Sequence, residues 1–301
     1  MTDRAFAVVR AGALTTVQDE GRPGHAHLGV PHSGALDRPA AALVNRLVGN
    51  PSDAAVLETT LNGCALRPRC AVTVAVGGAP CPVTVDGRPA PWGAAVRVRA
   101  GALLEVGAAV SGVRSYVALS GGVAVDPVLG SRSTDLLSGL GPPPLVDGAV
   151  LPLGGLAVTH ARVDVVPHPA PPRELVLRLT VGPRADWFTD AALRTLTTRA
   201  YRVSSSSNRI GLRTEGPPLT RAVSGELPSE GMVTGAVQVP PDGRPVVFLA
   251  DHPTTGGYPV VGVVRQADLA AAAQAVPGTV VRFVGGGWRP VRRPPDAAPG
   301  S

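Results

Sequence analysis

The sequence predicts a mainly β protein with two β-rich domains and a few short helices. The first reason is the number of turn-forming residues, since 37 glycines and 32 prolines among 301 residues interrupt the chain too often for long helices. The second is the pattern between residues 57 and 122, where short β-branched segments alternate with Gly or Pro turns, as in a barrel or a sandwich. The third is the composition: 44% hydrophobic but only 3% aromatic residues predict a core of Val, Leu and Ala.

The first fifty residues predict strands, a polar loop and one helix. Residues 5–9 and 14–18 are apolar or β-branched and predict two strands, and residues 27–30 predict a brief third one. Asp37 is a good N-cap, and a proline in the first turn is compatible with a helix start. The helix is expected to end at the glycine and asparagine that precede Pro51.

The next seventy residues predict strand after strand. The segments are LETTL, CAVTVAV, PVTVD, AAVRVRA, ALLEV and RSYVAL. Asp86 followed by Gly87 is a hairpin signal. Residues 120–145 are expected to be mostly loop, and the proline-rich residues 141–173 an irregular connection.

The second half predicts a further set of strands with two helices. Strands are expected at 175–181, 201–203 and 246–250, and TVVRFV is the last one. Helices are expected at 186–196 and at LAAAAQAV, where Asp268 is the predicted cap. We therefore expect an N-terminal β-domain with an irregular linker at 1–170, a C-terminal β-domain at 171–286, and a disordered tail at 287–301.

The two halves share a sequence pattern. Asp19 and Asp251 each lie five residues before a glycine, and Asp37 and Asp268 follow them by 18 and 17 residues at the start of an alanine-rich segment. This echo favours a duplication of one strand–loop–helix unit. Chance is the competing explanation, because Asp caps and Gly turns are common. We expect the stretches 15–50 and 251–278 to line one cleft between the halves.

Charge and composition exclude several classes of function. The net charge is +6, and all 28 basic residues are Arg, which excludes a P-loop lysine, a Schiff-base lysine and a biotin-bearing lysine on this chain. Scattered arginines and few aromatic residues argue against nucleic-acid binding. Three cysteines without CxxC spacing argue against disulfides and zinc. No membrane segment or signal peptide is evident, so we expect a cytoplasmic protein.

Several polar clusters allow more than one interpretation. Asp19 with Arg22 is either a charge-paired functional acid or a turn with a surface ion pair. The serine-rich turn before Arg209 either holds an anion, through backbone N–H groups and that arginine, or is a polar hairpin. His25, His27 and His32 have no nearby cysteine and no HExxH motif to support metal binding, so a metal site is disfavoured. The segment DHPTTGGYP follows a buried strand, a frequent place for functional loops.

Five blocks carry a resemblance to a known family. They are, in order, TTVQDEGRPGHAHLGVPHSGALDRPAAALVNRLVGNPSDAAVLE, LGSRSTDL, SNRIGLRTEGPPL, SEGMVTGAVQVPPDG and LADHPTTGGYPVVGVV. Together they resemble the KipA-like family, also called the carboxyltransferase domain family, the family of the C subunit of 5-oxoprolinase, or the allophanate hydrolase subunit 2 family. The resemblance extends over nearly the whole chain and implies two cyclophilin-like β-barrel domains.

The resemblance also implies a function. Such proteins form an ATP-dependent 5-oxoprolinase with a KipI-like B subunit and a third subunit, and the complex opens the lactam of 5-oxo-L-proline to L-glutamate. ATP with magnesium is the implied cofactor at the level of the complex. The alternatives are a carboxyltransferase module for urea-type substrates, with biotin carried elsewhere, and a non-enzymatic KipA-like antagonist of a KipI-like kinase inhibitor. A stand-alone chain with no fused biotin carboxylase favours the oxoprolinase.

This chemistry predicts the site residues. Lactam opening needs hydrogen-bond donors at the carbonyl and phosphate oxygens and an acid or base for proton movement. We expect Asp19 and Asp251 to be catalytic, as acid–base or magnesium-linked groups. The candidates for substrate or phosphate binding are polar and cationic side chains of the quoted blocks: Gln18, Arg22, Arg132, Asn208, Arg209, Gln238, Thr254, Thr255 and Tyr258.

Overall fold

The computed structural model describes residues 4–155, 172–225 and 227–285. Within these ranges the chain is built mostly of β-strands with three α-helices, which confirms the predicted mainly β class. None of these helices combines the length and the apolar character that a membrane crossing needs. The predicted domain boundary at 170–171 and the predicted disordered tail at 287–301 lie outside the described residues.

The N-terminal half consists of two antiparallel sheets packed around one apolar core. Its strands are β1 Ala5–Arg10, β2 Thr15–Gln18, β3 Val56–Thr60, β4 Cys64–Pro68, β5 Val72–Gly78, β6 Val83–Val85, β7 Arg88–Ala90, β8 Ala95–Val98, β9 Leu104–Val106, β10 Arg114–Leu119 and β11 Val150–Pro152. The sheet orders are β11-β1-β4-β9-β6-β7 and β2-β3-β10-β5-β8. Phe6 and Leu66 from the first sheet and Val17 and Val117 from the second belong to the same buried cluster. Alternating side chains thus bury one face of each sheet.

The C-terminal half is a closed barrel. Its strands are β12 Glu174–Val181, β13 Tyr201–Val203, β14 Gly211–Glu215, β15 Glu230–Gly231, β16 Ala236–Gln238, β17 Val246–Phe248, β18 Thr255–Gly256, β19 Val260–Val264 and β20 Val280–Val284. The barrel order is β12-β19-β16-β17-β14-β13-β20. Strand β12 closes the ring, because its first part pairs with β20 in parallel and its last part with β19 in antiparallel fashion. The short strands β15 and β18 pair outside it.

Helix α1, Arg38–Leu47, is the helix predicted from the first stretch. The Asp37 carboxylate accepts a hydrogen bond from the Ala40 N–H at 3.1 Å, as an N-cap does. Val44 and Leu47 then pack on the outer face of the β2-β3-β10-β5-β8 sheet, against the buried Tyr116. The polar segment that precedes α1 is therefore anchored at its C-terminal end.

The two later helices begin at residues other than those predicted from the sequence. Helix α2 is Asp190–Thr198, because the Thr189 hydroxyl caps it, and a short 3₁₀ turn at Ala185–Trp187 precedes it. Helix α3 is Gln266–Ala273. The predicted capping role of Asp268 is wrong, since that residue lies in the first turn and accepts from the Arg178 N–H at 2.9 Å while pairing with the Arg178 guanidinium.

The predicted strand at 27–30 is also wrong. A 3₁₀ helix, Ala26–Leu28, occupies that position and ends at Gly29, whose φ is 74°. Leu28 is 60% exposed, so its apolar side chain does not pack against a sheet. This segment forms part of the rim of the cleft described below.

Buried polar contacts join the two halves beside α1 and α3. Gln274, just after α3, donates from Nε2 to the Asp37 carboxylate and to the Arg114 carbonyl, both at 2.9 Å. Its Oε1 accepts the N–H groups of Val113 and Arg114 at 3.1 and 2.9 Å. One amide from the C-terminal half therefore satisfies four groups of the N-terminal half.

Candidate functional site

A cleft of about 760 Å³ lies between the two halves. One wall is the loop from Glu20 to the start of α1; the other comprises residues 232–234, 249–254 and the beginning of α3. The first wall lies within the predicted stretch 15–50, whereas the second combines part of the predicted stretch 251–278 with residues 232–234 and 249–250, which were not predicted. The size is typical of a small-molecule site.

His32 and Arg38 form a polar pair on the N-terminal wall. Arg38 Nη2 lies 2.6 Å from His32 Nδ1. A guanidinium can only donate, so Nδ1 is the acceptor and the neutral ring carries its proton on Nε2. Burial, together with the positive charge of Arg38, lowers the pKa of His32 to about 4. At neutral pH this imidazole is therefore uncharged and has one N–H to donate.

His252 lies on the opposite wall, also as a neutral ring. Its Nδ1 is 2.7 Å from the Pro253 carbonyl oxygen, and its Nε2 is 3.1 Å from Thr234 Oγ1. The ring stacks on Phe248 with a centroid distance of 5.6 Å and an interplanar angle of 9°. Burial lowers the pKa of His252 from its ordinary value. His252 was not among the site residues predicted from the sequence, although its position shortly after a buried strand was a signal for it.

Arg22 places a buried cation beside the cleft. It is 1% exposed, and its Nη2 donates to the Ser133 carbonyl at 2.5 Å. Its Nη1 lies 4.0 Å from an Asp135 carboxylate oxygen and makes no hydrogen bond. Burial lowers the pKa of Arg22, and the charges of Asp135 and Asp19 partly offset that effect.

Asp19 organises the loop behind this wall. Its carboxylate accepts from the hydroxyls of Ser131 and Ser133 and from the Arg132 N–H, each at 2.6 Å. Gln18, fully buried next to it, donates from Nε2 to the Thr134 carbonyl at 3.0 Å. The predicted candidates Gln18, Asp19 and Arg132 thus meet in one place, where their contacts shape the wall from behind.

Asp251 and Arg209 lie together in the interior. The guanidinium donates from Nε and Nη2 to the two Asp251 oxygens, both at 2.9 Å, and from Nη2 to the Gly34 carbonyl at 2.7 Å. Its Nη1 pairs with Glu58 of the N-terminal half. Every nitrogen of Arg209 therefore has a partner within the fold, and the side chain points away from the serine-rich turn. Glu58, which the sequence analysis did not single out, completes this network.

The other predicted binding residues are divided between two places. Thr254 lines the cleft. Gln238 donates from Nε2 to the Tyr258 carbonyl at 3.2 Å, close to the short strand that contains Thr255, and these three residues do not line the cleft. Asn208 accepts the N–H groups of the two residues that follow Arg209 and so closes the turn before β14.

No group of three His, Cys, Asp or Glu side chains is placed to hold a metal ion within residues 4–155, 172–225 and 227–285. In the cleft, Glu20 is the acidic lining residue. Magnesium prefers several oxygen ligands, commonly carboxylates and phosphates. The described side chains therefore do not fit a magnesium site built by this chain alone.

Comparisons with known proteins agree with this architecture. The chain is 37% identical to the C subunit of 5-oxoprolinase from Escherichia coli (strain K12) over 284 residues, which cover 92% of this chain and 90% of the relative. It is 32% identical to the C subunit of the Haemophilus influenzae 5-oxoprolinase, over 89% and 87% of the two chains. It is 30% identical to urea amidolyase of Saccharomyces cerevisiae, over 93% of this chain but 16% of that much longer protein.

Solved structures share the fold. The crystal structure of TTHA0988 matches 94% of this chain and 56% of its own, with a TM-score of 0.86 at 36% identity. The K. lactis urea amidolyase structure matches 95% of this chain and 19% of its own, with a TM-score of 0.84 at 31% identity. The family model for the carboxyltransferase domain, subdomain A and B, matches residues 28–285. These matches confirm the resemblance noted in the sequence, and the chain belongs to this carboxyltransferase domain family.

Proposed function

We propose that the chain is the C subunit of an ATP-dependent 5-oxoprolinase, which opens the lactam of 5-oxo-L-proline to L-glutamate together with a KipI-like B subunit and a third subunit. The observation that carries the proposal is the identity of 37% to the C subunit of a 5-oxoprolinase across 92% of this chain. Identity to the urea amidolyase of Saccharomyces cerevisiae is lower, at 30%.

Two side chains of the cleft support this proposal. 5-Oxo-L-proline carries one carboxylate and one lactam carbonyl. Arg38, on the cleft wall, offers a planar cation that suits a carboxylate. His32 is neutral and keeps its Nε2 proton, so it can donate to a carbonyl oxygen without introducing a second charge. We propose that these two side chains bind and orient the substrate.

We propose that the assembled complex uses ATP with magnesium. When bound, ATP supplies the activation of the lactam carbonyl. This chain contains no lysine that would contact phosphates, and no metal-binding cluster occurs in the part of the chain that the structure describes. We propose that the side chains of this subunit hold the substrate and move protons.

A carboxyltransferase acting on a urea-type substrate is the second candidate. It is favoured by the TM-score of 0.84 to the K. lactis urea amidolyase structure. In that case biotin would be carried on another chain or domain, because this chain has no lysine to carry it.

One experiment separates the two candidates. The chain is assembled with its KipI-like and third partners and supplied with 5-oxo-L-proline and ATP, and glutamate release is measured. A parallel sample receives urea, bicarbonate, ATP and a biotin carboxylase with its biotin carrier. Glutamate release that requires ATP supports the proposal. Urea carboxylation without glutamate release by a correctly assembled complex would favour the second candidate instead.

A further inference from the structure

Thr234 and His252 form a hydroxyl–imidazole pair on the C-terminal wall of the cleft. Thr234 lies just before β16, and His252 lies four residues after β17. Both residues line the cleft, and Thr234 Oγ1 is 3.1 Å from His252 Nε2. This pair comes from different loops of the barrel, and no sequence motif connects the two residues.

The neighbours of the ring determine which nitrogen carries the proton. The Pro253 carbonyl oxygen, 2.7 Å from Nδ1, can only accept a hydrogen bond. Nδ1 is therefore protonated, and Nε2 presents a lone pair to the Thr234 hydroxyl. Phe248, stacked on the ring, fixes its plane. A hydroxyl, a base within reach of it and a third group that orients the base are the three parts of an activated hydroxyl in enzymes.

Charged groups around His252 leave the base available. Asp251 precedes it in the chain, but that carboxylate is bound to Arg209. Across the cleft lies the neutral His32, which interacts electrostatically with His252, and Arg22, His25, Arg38 and Glu20 complete the titratable lining. Burial lowers the pKa of His252, while the Pro253 carbonyl and Asp251 act in the opposite direction. The ring is thus unprotonated at neutral pH.

We propose that Thr234 and His252 act as a proton relay for the addition of water to the substrate carbonyl in this cleft. The relay rests on the proposed function. The oxygen of water forms a bond to the carbonyl carbon and gives its proton to Thr234 Oγ1, whose own proton passes to His252 Nε2. When the C–N bond of the lactam breaks, the imidazolium returns a proton by the same path to the leaving nitrogen. Ring opening consumes one water and both side chains regain their initial state, while a second water releases, as inorganic phosphate, the phosphoryl group that ATP transferred to the carbonyl oxygen.

The first test uses the assembled complex with three variants of this subunit. Thr234→Val has nearly the same shape without the hydroxyl, Thr234→Ser keeps the hydroxyl, and His252→Gln removes the base. We expect Thr234→Val and His252→Gln to lower kcat about 100-fold, with little change in KM, and Thr234→Ser to retain most activity. Wild-type kcat/KM should fall on acidification as His252 becomes protonated, and this fall should be absent from the pH profile of His252→Gln. Wild-type kcat in Thr234→Val would overturn the relay.

The second test does not depend on turnover. Long-range ¹H–¹⁵N NMR of the full chain reports which nitrogen of His252 carries the proton. We expect the Nδ1–H form in the wild type, and a changed Nε2 resonance in Thr234→Val but not in Thr234→Ser. A wild-type ring protonated on Nε2 would overturn the proposal. If the wild-type complex releases no glutamate, the proposed function fails by itself, and this measurement still decides whether the pair exists.

Discussion

Arg209 and Asp251 form a bidentate ion pair in the interior of the protein, with both N–O distances at 2.9 Å. The side chains are 1% and 0% exposed. Glu58 of the N-terminal half binds the remaining Nη1 of the same guanidinium. A single arginine therefore connects a carboxylate of the C-terminal half to a carboxylate of strand β3 in the N-terminal half.

Removing this arginine should destabilise the fold. Arg209→Met leaves the buried Asp251 without its ion-pair partner and leaves Glu58 with Arg114 alone, 3.6 Å away. We expect a loss of about 3–5 kcal/mol in the free energy of unfolding. The matched control is Arg282→Ala, in an ion pair with Glu174 whose side chains are 50% and 42% exposed. That change should cost less than about 1 kcal/mol. Denaturant unfolding measures both, and equal losses would contradict a special role for Arg209.

The same network predicts a pH dependence of stability. Burial raises the pKa of Glu58, but Arg209 and Arg114 outweigh it, so the pKa lies below its ordinary value of 4.5. A carboxyl with a lower pKa in the folded state adds stability that is fully present above pH 4.5 and is lost as the pH falls through the folded pKa. The difference in unfolding free energy between the wild type and Glu58→Gln should therefore narrow below pH 4.5. A constant difference would refute this assignment.

Two glycines near Arg22 should respond differently to alanine. Both have positive φ, 80° at Gly141 and 72° at Gly139. A Cβ at Gly141 would lie 2.1 Å from the Ser133 carbonyl oxygen, which Arg22 also uses, whereas a Cβ at Gly139 meets nothing within 4 Å. We expect Gly139→Ala to cost about 1–2 kcal/mol and Gly141→Ala about 2–5 kcal/mol. Thermal or denaturant unfolding of the two variants gives the comparison, and a smaller loss in Gly141→Ala would contradict the geometry.

The charge of Arg38 should be visible in the titration of His32. The pKa of His32 is about 4, because burial and then Arg38 lower it. Arg38→Ala removes a positive charge, so the pKa should rise while remaining below the ordinary 6.5, since burial persists. The control is Arg46→Ala, an exposed position on the same helix. NMR titration measures the shift, and an unchanged pKa in Arg38→Ala would show that the two side chains do not interact.

Elements defined by neighbouring residues were predictable from the sequence. The cap at Asp37 predicted α1, because the bond to Ala40 is local. The hairpin at Asp86 and Gly87 is confirmed, with both φ angles positive as its turn type requires. Strand β4, Cys64–Pro68, was not predicted, because the Pro at its end and its closeness to a stronger β-branched segment concealed it.

Contacts between distant residues were not predictable in this way. Arg209 turns inward because Glu58, 151 positions away, binds it. The sequence therefore identified a cation near a polar turn, but it did not show that the side chain of Arg209 points into the interior. Thr234 and His252 approach each other only because two barrel loops end at the same cleft. The predicted stretches 15–50 and 251–278 both contribute to the lining of the cleft, but the side chains that face it could be identified only from the structure.

We propose that the cleft between the halves binds 5-oxo-L-proline. Its most direct test is the KM for that substrate in the assembled complex with the wild-type chain, with Arg38→Ala and with Arg46→Ala. We predict ATP-dependent glutamate release by all three, an unchanged KM for Arg46→Ala, and a KM raised roughly 10- to 100-fold for Arg38→Ala, as expected for the loss of a charged hydrogen bond. A wild-type KM in Arg38→Ala would contradict binding of 5-oxo-L-proline by Arg38 in this cleft.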